Sequence, residues 1–248
     1  GLGDVYKRQD MRRGKLTVHK KWDANMAILS GDSMLVLAYE RMAHCDAKHL
    51  QAVLQLFTET ALEIGEGQQY DMEFETRDDV KEEEYIEMIR LKTSVLLACA
   101  LKMGAILADA SEEDANNLYK FGEQIGLAFQ LQDDFLDVYG DPKVFGKEIG
   151  GDITSNKKTY MLINAFNHAN AQQREELNRW VSAKDFVRKE KVEAVTRLYD
   201  EIGIDKMAQE KIAYYFEQSK KYLDAVQVPA ERKEELQKYA QKMMKRKY

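Results

Sequence analysis

Proline is nearly absent from this sequence, with only Pro142 and Pro229 in 248 residues. So few helix breakers, beside 44% hydrophobic and 32% charged residues, favour long amphipathic helices over a β-rich or disordered chain. Cysteine is equally scarce. Cys45 and Cys99 both lie within apolar helical patterns, so reduced core thiols are expected instead of a disulfide. An excess of positive charge is lacking too: the net charge is −6, which argues against general nucleic-acid binding. No apolar run is long enough to span a bilayer and no signal peptide is visible, so a cytoplasmic protein without stable membrane insertion is expected. Neither an internal repeat nor a low-complexity linker divides the chain, and its length fits a single domain.

What is present reads as a succession of helices. Asp23 can cap a helix over about 24–44, with Met26, Ile28, Leu29, Leu35 and Leu37 apolar. Gly31-Asp32 within it suggests close helix packing and a buried structural role for Asp32. A second helix starts near Asp46 and is expected to end over 65–71. A third opens on the acids around Asp78-Asp79 and Glu82–Glu84, a solvated face suited to a helix N-terminus, and runs to about Leu107. Ser111, followed three residues later by Asp114, resembles a capping box. The helix it starts keeps Phe121, Ile125, Phe129 and Leu136 near a 3.6-residue period and must stop at Gly140-Asp141-Pro142. Further helices are expected over about 159–169, 171–182, 184–202 and 205–226, and after Pro229. The fold class is therefore all-α, a bundle of antiparallel helices around a central cavity.

The stretch Gln130-Leu131-Gln132-Asp133-Asp134-Phe135-Leu136-Asp137 carries the chemistry. On a helix Asp133 and Asp137 are four apart and Asp134 and Asp137 three apart, with Gln130 one turn before Asp133. Carboxylates on adjacent turns repel one another unless something positive lies between them. Mg²⁺ would serve, since it takes oxygen ligands and keeps waters or phosphates in its remaining positions. An isolated DDxxD can equally be a solvated acidic face. Downstream, however, Phe145-Gly146-Lys147-Glu148-Ile149-Gly150-Gly151-Asp152-Ile153 is followed by Asn156-Lys157-Lys158-Thr159. Glycines allow close backbone approach and lysines supply point charges, so acids and lysines together suggest a diphosphate held through Mg²⁺.

DDFLD followed by FGKEIGGDIxxxKKT resembles the second aspartate-rich region of the trans-polyprenyl diphosphate synthases. The likeness starts near Asp10 and implies a polyprenyl synthetase domain over 10–248, incomplete at its N-terminus. It implies a prenyltransferase of isoprenoid biosynthesis that joins an allylic diphosphate to isopentenyl diphosphate, with Mg²⁺ as cofactor and a homodimer as the assembly. Asp133, Asp134 and Asp137 would bind the metal, and Asp133, Lys92 and Lys157 would be catalytic. The substrate diphosphates would meet Arg12, Arg13, Lys92, Thr93, Gln130, Lys147 and Lys157, while Gln68, Asp71 and Phe129 would wall the cavity.

Without the resemblance several of these have plainer readings. Arg12-Arg13 offer planar forks for diphosphate oxygens, or form a basic loop. Lys92 could snorkel from an apolar helix to water, and Gln68 and Asp71 could be surface polar residues. The basic tail Lys245-Arg246-Lys247 reads as a frayed end.

Residues 1–9 depart from the family pattern and read as a cloning or assembly scar on a truncated gene. Gly3 and Lys7 stand where the family places two acids of its first DDxxD; Asp4 alone makes no such motif. The chain is therefore expected to be weakly active or inactive alone. The alternatives are a non-catalytic subunit or fragment and a class I terpene cyclase. The cyclase does not need the isopentenyl site that the RRG at Arg12-Arg13-Gly14 suggests.

Overall fold

The computed structural model describes residues 10–12, 14–141 and 149–244. Two compact units divide the chain, residues 1–56 and 57–248.

In the first unit, β1 (Met11–Arg12) and β2 (Lys15–Leu16) pair antiparallel, with Met11 opposite Leu16 and Arg12 opposite Lys15. Gly14 makes the reversal with a φ of +73°. The Thr17 amide and hydroxyl both donate to the Asp10 carbonyl, and Lys20 pairs with the Asp10 carboxylate at 3.0 Å. A one-turn helix α1 (Val18–Lys21) and then α2 (Ala24–Ala43) follow. As expected, Asp23 caps α2 by accepting from the Met26 amide at 2.8 Å. The expectation for Gly31-Asp32 does not hold: Asp32 is exposed, and a Cβ on Gly31 would meet nothing within 4 Å. Ala27 is the buried residue of α2, and Met34, Val36 and Leu29 of this apolar helix are exposed.

The helix α3 (Ala47–Phe74) starts in the first unit and ends in the second. It runs past the Gly65–Asp71 stretch expected to end it. Gly67 is there for contact: a Cβ on it would lie 2.4 Å from the Lys92 amide nitrogen. The expected third helix is divided into α4 (Glu82–Ile89), a π turn (Arg90–Ser94) and α5 (Val95–Leu107).

Next comes α6 (Glu112–Tyr139), the long helix on which the second unit is built. Ser111 caps it, accepting from the Asp114 amide at 3.1 Å, and it ends at the expected glycine. Helix α6 packs along α5 and the π turn on one side and along α11 (Ile204–Ala225) on another. Two glycines a turn apart allow the first approach. A Cβ on Gly122 would lie 2.7 Å from Ala98 Cα, and one on Gly126 would lie 2.8 Å from Ser94 Cα.

The remaining elements are α7 (Gly151–Thr154), α8 (Tyr160–His168), α9 (Ala171–Ser182), α10 (Arg188–Ile202) and α12 (Ala230–Met244). Helix α9 begins with a capping box in which Asn170 and Gln173 exchange side chain–backbone bonds of 2.9 and 3.0 Å. Helix α10 begins four residues later than its periodicity suggested and ends on Gly203 at φ +85°.

Two apolar clusters hold this unit. One joins Tyr85, Met88 and Ile89 of α4 to Leu127, Leu131 and Val138 of α6 and to Met161, Leu198 and Tyr199. The other gathers Phe121 and Ile125 around Leu223, Ala240 and Met243. Each fully buried Leu or Met contributes about 1.5–3 kcal/mol by leaving water. The result is the expected all-α class, with the two-residue strands as a local exception.

Candidate functional site

The last turns of α6 carry the DDFLD segment, and its aspartates have different surroundings. Asp134 is buried against the first apolar cluster. The Tyr85 hydroxyl donates to its Oδ2, and the Lys157 amine lies 3.5 Å from its Oδ1. Asp133, half-buried, occupies the adjoining helix position. Asp137 fastens the following segment: its Oδ2 accepts from the Asp152 amide at 2.8 Å, and its carbonyl from the Gly150 amide at 2.6 Å. Two glycines form the connection. Gly150 has a φ of +79° and would press a Cβ to 2.6 Å from Val192 Cγ2; one on Gly151 would come within 3.2 Å of Asp137 Oδ1.

From α7 the chain turns through Asn156 and presents Lys157. The Lys157 amide donates to the Asp152 carbonyl at 3.0 Å, and its amine lies 3.5 Å from Asp152 Oδ1 as well as from Asp134. One ammonium thus lies between two carboxylates supplied by different elements.

A second ion pair comes from α3 and the π turn, where the Lys92 amine donates to Asp71 Oδ2. The wider π turn carries Lys92 and Thr93, both half-buried, out of the apolar register that flanks them. Gln68 lies one turn before Asp71, and its Nε2 is buried without a partner. The two pairs form one electrostatic group, since the Asp71 charge helps to raise the Lys157 pKa.

Burial pushes the Asp134 carboxyl up to about 6, with Asp152 and Asp133 adding to the rise and Lys157 and Tyr85 opposing it. Asp137 is raised as well, by burial first and then by Asp152. For Lys157 burial acts downward, yet Asp134, Asp152 and Asp71 together lift it above the ordinary lysine value. The group is rich in carboxylates that are hard to keep ionised together, a donor set that a divalent cation relieves. Among the described residues no three acidic, histidine or cysteine side chains converge with metal-ligand spacing. Mg²⁺ takes oxygen ligands and keeps waters or phosphates in its remaining positions, so Asp133 and Asp137 are of the chemical type that could hold it.

The sequence expectations fare unequally. Asp134, Asp137, Lys157, Lys92 and Asp71 come together with opposite charges in contact. Both oxygens of Asp134 face protein donors, Tyr85 and Lys157, because its helix position turns it into the core. Gln130 lies one turn before Asp133 and Asp134, and Phe129 packs against the second apolar cluster. Arg12 lies on β1; Arg13, Lys147 and residues 1–9 lie outside the described residues. Two participants were missed. Asp152 stands in the glycine loop, where its place in GGDI was the available signal. Tyr85 had none, being one aromatic among many in an apolar helix.

A cavity of about 690 Å³ is lined by Asp78, Glu82, Asn164, His168, Arg174 and Asn178 among others. None of the residues of the acidic group lines it; Lys158, the sequence neighbour of Lys157, does, and pairs with Asp78 at 3.2 Å. No helix of the described residues is long and apolar enough to cross a membrane.

Residues 3–202 match the family described as polyprenyl synthetase. The chain is 37% identical to a geranylgeranyl diphosphate synthase of Methanosarcina mazei, over 90% of this chain and 67% of that protein. Other curated relatives match over less of their length, 54% and 59% for two short chain isoprenyl diphosphate synthases. The chain thus spans about half to two thirds of these relatives. Among solved structures, a geranylgeranyl pyrophosphate synthase superposes with a TM-score of 0.94 at 42% identity, over 100% of this chain and 76% of that one. A geranylgeranyl pyrophosphate synthase of Corynebacterium glutamicum, solved with isoprenyl diphosphate and magnesium, has a TM-score of 0.86 at 27% identity, over 98% and 74%.

Proposed function

The chain belongs to the polyprenyl synthetase family, and from that premise we propose that it derives from a prenyltransferase joining an allylic diphosphate to isopentenyl diphosphate. The observation that carries the reading is Lys157 held between Asp134 and Asp152 beside Asp137, a cation placed among acids where a diphosphate–metal unit would sit.

The roles follow from the chemistry of each side chain. Asp133 and Asp137 would hold Mg²⁺. Bound there, the ion would stabilise negative charge developing on the leaving diphosphate. Asp134 acts through Lys157, keeping the ammonium charged and aimed. Lys157 and Lys92, with Lys147, Thr93, Gln130, Arg12 and Arg13, would hold diphosphate oxygens as the allylic carbon–oxygen bond ionises. In that reading Lys92 exchanges Asp71 for a diphosphate oxygen, and Gln68 and Asp71 form the wall behind it. The allylic carbon then alkylates the isopentenyl double bond, and the cation so formed gives a proton to the released diphosphate. Phe129 and Leu136 would help to keep water from the cation. Cys45 and Cys99 are free thiols, which suits our assignment to the cytoplasm. The exposed apolar residues of α2 support a homodimer.

A second reading, a chain that binds diphosphate without turning over, is favoured by Gly3 and Lys7 at the positions of two family acids. Calorimetry with an allylic diphosphate analogue, with and without Mg²⁺, tests the shared part: binding should be strong only with the metal. Incorporation of labelled isopentenyl diphosphate, beside a chimera carrying a relative's N-terminal segment, separates the two readings. Absence of analogue binding under both conditions refutes both.

A further inference from the structure

We infer that Lys191 and Asn156 are positioning residues, a buried lysine of α10 clamping the left-handed residue that aims Lys157 at the acidic group. The inference rests on the proposed role of Lys157 as a diphosphate ligand.

Lys191 is 0% exposed. Its amine donates to Asn156 Oδ1 at 2.7 Å and lies 4.2 Å from the centre of the Phe186 ring. Neither partner is charged, and burial holds the amine below the ordinary lysine pKa. A buried ammonium without a carboxylate partner among the described residues is costly to the fold, and an apolar side chain of similar length would avoid that cost. The amine at this place therefore calls for a function beyond packing.

Asn156 supplies one. Its φ of +52° is uncommon for a non-glycine residue, and asparagine tolerates it better than most. Both ends of its side chain are engaged: Oδ1 accepts from Lys191, and Nδ2 donates to the Val181 carbonyl at 2.9 Å. The next residue is Lys157. With Asn156 pinned, the Lys157 amide meets the Asp152 carbonyl at 3.0 Å and its amine reaches Asp134 and Asp152, each at 3.5 Å.

The same stripe of α10 supports the rest of the segment. Arg188 donates to the Ile149 carbonyl at 3.0 Å and to Thr154 Oγ1 at 3.1 Å. Val192 lies against Gly150. Positions 188, 191 and 192 share one helix face, so α10 backs the segment that bears Asp152 and Lys157.

The test uses the 248-residue chain and two variants. Lys191→Met removes the donor and keeps the bulk; Asn156→Gly keeps the left-handed backbone and removes both side-chain bonds. Hydrogen exchange should quicken at the Asp152, Asn156 and Lys157 amides in both variants, with α5 and α6 unchanged. Unchanged exchange at those amides in both variants overturns the clamp.

Titration with inorganic pyrophosphate and Mg²⁺ reads its consequence. Lys157→Ala should weaken binding about tenfold or more, the scale for a hydrogen bond to a charged group. Lys191→Met alone should cost about three- to tenfold, but less than about twofold on the Lys157→Ala background, where nothing remains to be positioned. Equal losses on both backgrounds mean a merely structural lysine and overturn the inference. Unchanged pyrophosphate affinity in Lys157→Ala instead refutes the proposed role of Lys157 and this functional consequence with it, while hydrogen exchange still decides the clamp.

Discussion

Replacing Gly67 by alanine tests whether the contact between α3 and the π turn sets both stability and the place of Lys92. In a helix interior alanine is favoured over glycine by up to about 1 kcal/mol, so propensity alone makes the substitution stabilising. The structure reverses the sign. The new Cβ would lie 2.4 Å from the Lys92 amide nitrogen and 2.8 Å from Lys92 Cα and Leu91 Cβ. Two of these atoms are backbone and cannot rotate away, so the π turn must shift. Overpacking costs about 1–3 kcal/mol, and a clash with backbone takes the upper part of that range, about 2–3 kcal/mol, leaving a net loss of about 1–2 kcal/mol after the propensity gain. For a protein of this size that lowers Tm by about 2–8 °C.

Gly65 is the control, two residues earlier on the same helix. A Cβ there meets nothing within 4 Å, so Gly65→Ala should raise Tm or leave it unchanged. Thermal unfolding followed by circular dichroism compares the two variants. Pyrophosphate titration should show weaker binding for Gly67→Ala alone, since Lys92 moves with the turn. A Gly67→Ala protein as stable as wild type, or two variants that move together, would refute the reasoning.

Further expectations follow from the acidic group and the buried thiol. Two carboxylates leave most of a Mg²⁺ shell to water, so Asp133 and Asp137 should bind the metal weakly until a diphosphate arrives. Equal Mg²⁺ affinity in calorimetry with and without an allylic diphosphate analogue would contradict this. Burial raises the Cys99 thiol pKa while Cys45 is only half-buried, so iodoacetamide should label Cys45 well before Cys99 in a peptide-mapped time course. Labelling of Cys99 first would count against the packing of α5. The Glu63 carboxyl is raised by burial, with Arg90 opposing. A raised acid binds its proton more tightly when folded, so its contribution is full below the unfolded pKa and fades as pH rises through the folded one. Glu63→Gln should therefore gain stability relative to wild type as pH rises above the ordinary glutamate value of about 4.3; a constant Tm difference across that rise would contradict the raised pKa.

Much of the architecture is a local matter. Two prolines in the whole chain, the caps Asp23 and Ser111, and the break at Gly140 are properties of short segments. They correctly give an all-α class and a long helix ending at Tyr139. The spacing within DDFLD likewise puts Asp133 and Asp134 one turn before Asp137, and the glycines and lysines downstream mark the segment that returns to them. Where local rules misled, a distant segment was responsible. Gly65-Glu66-Gly67 reads as a helix end by propensity, but contact with the π turn keeps α3 continuous to Phe74.

Periodicity locates a residue on a helix face but not what that face meets. It put three aspartates together without showing that Asp134 turns to Tyr85, 49 residues earlier, while Asp137 takes the Asp152 amide. Nor could it show that Lys191, 35 residues beyond Asn156, holds the turn before Lys157. The sequence by itself determined the helices, the carboxylates and the lysines, because repeat, cap and charge are written in neighbouring residues. Only the tertiary structure decided which carboxylate holds a lysine and which takes a backbone amide, because a buried polar group takes its partner from whatever the packing brings within reach.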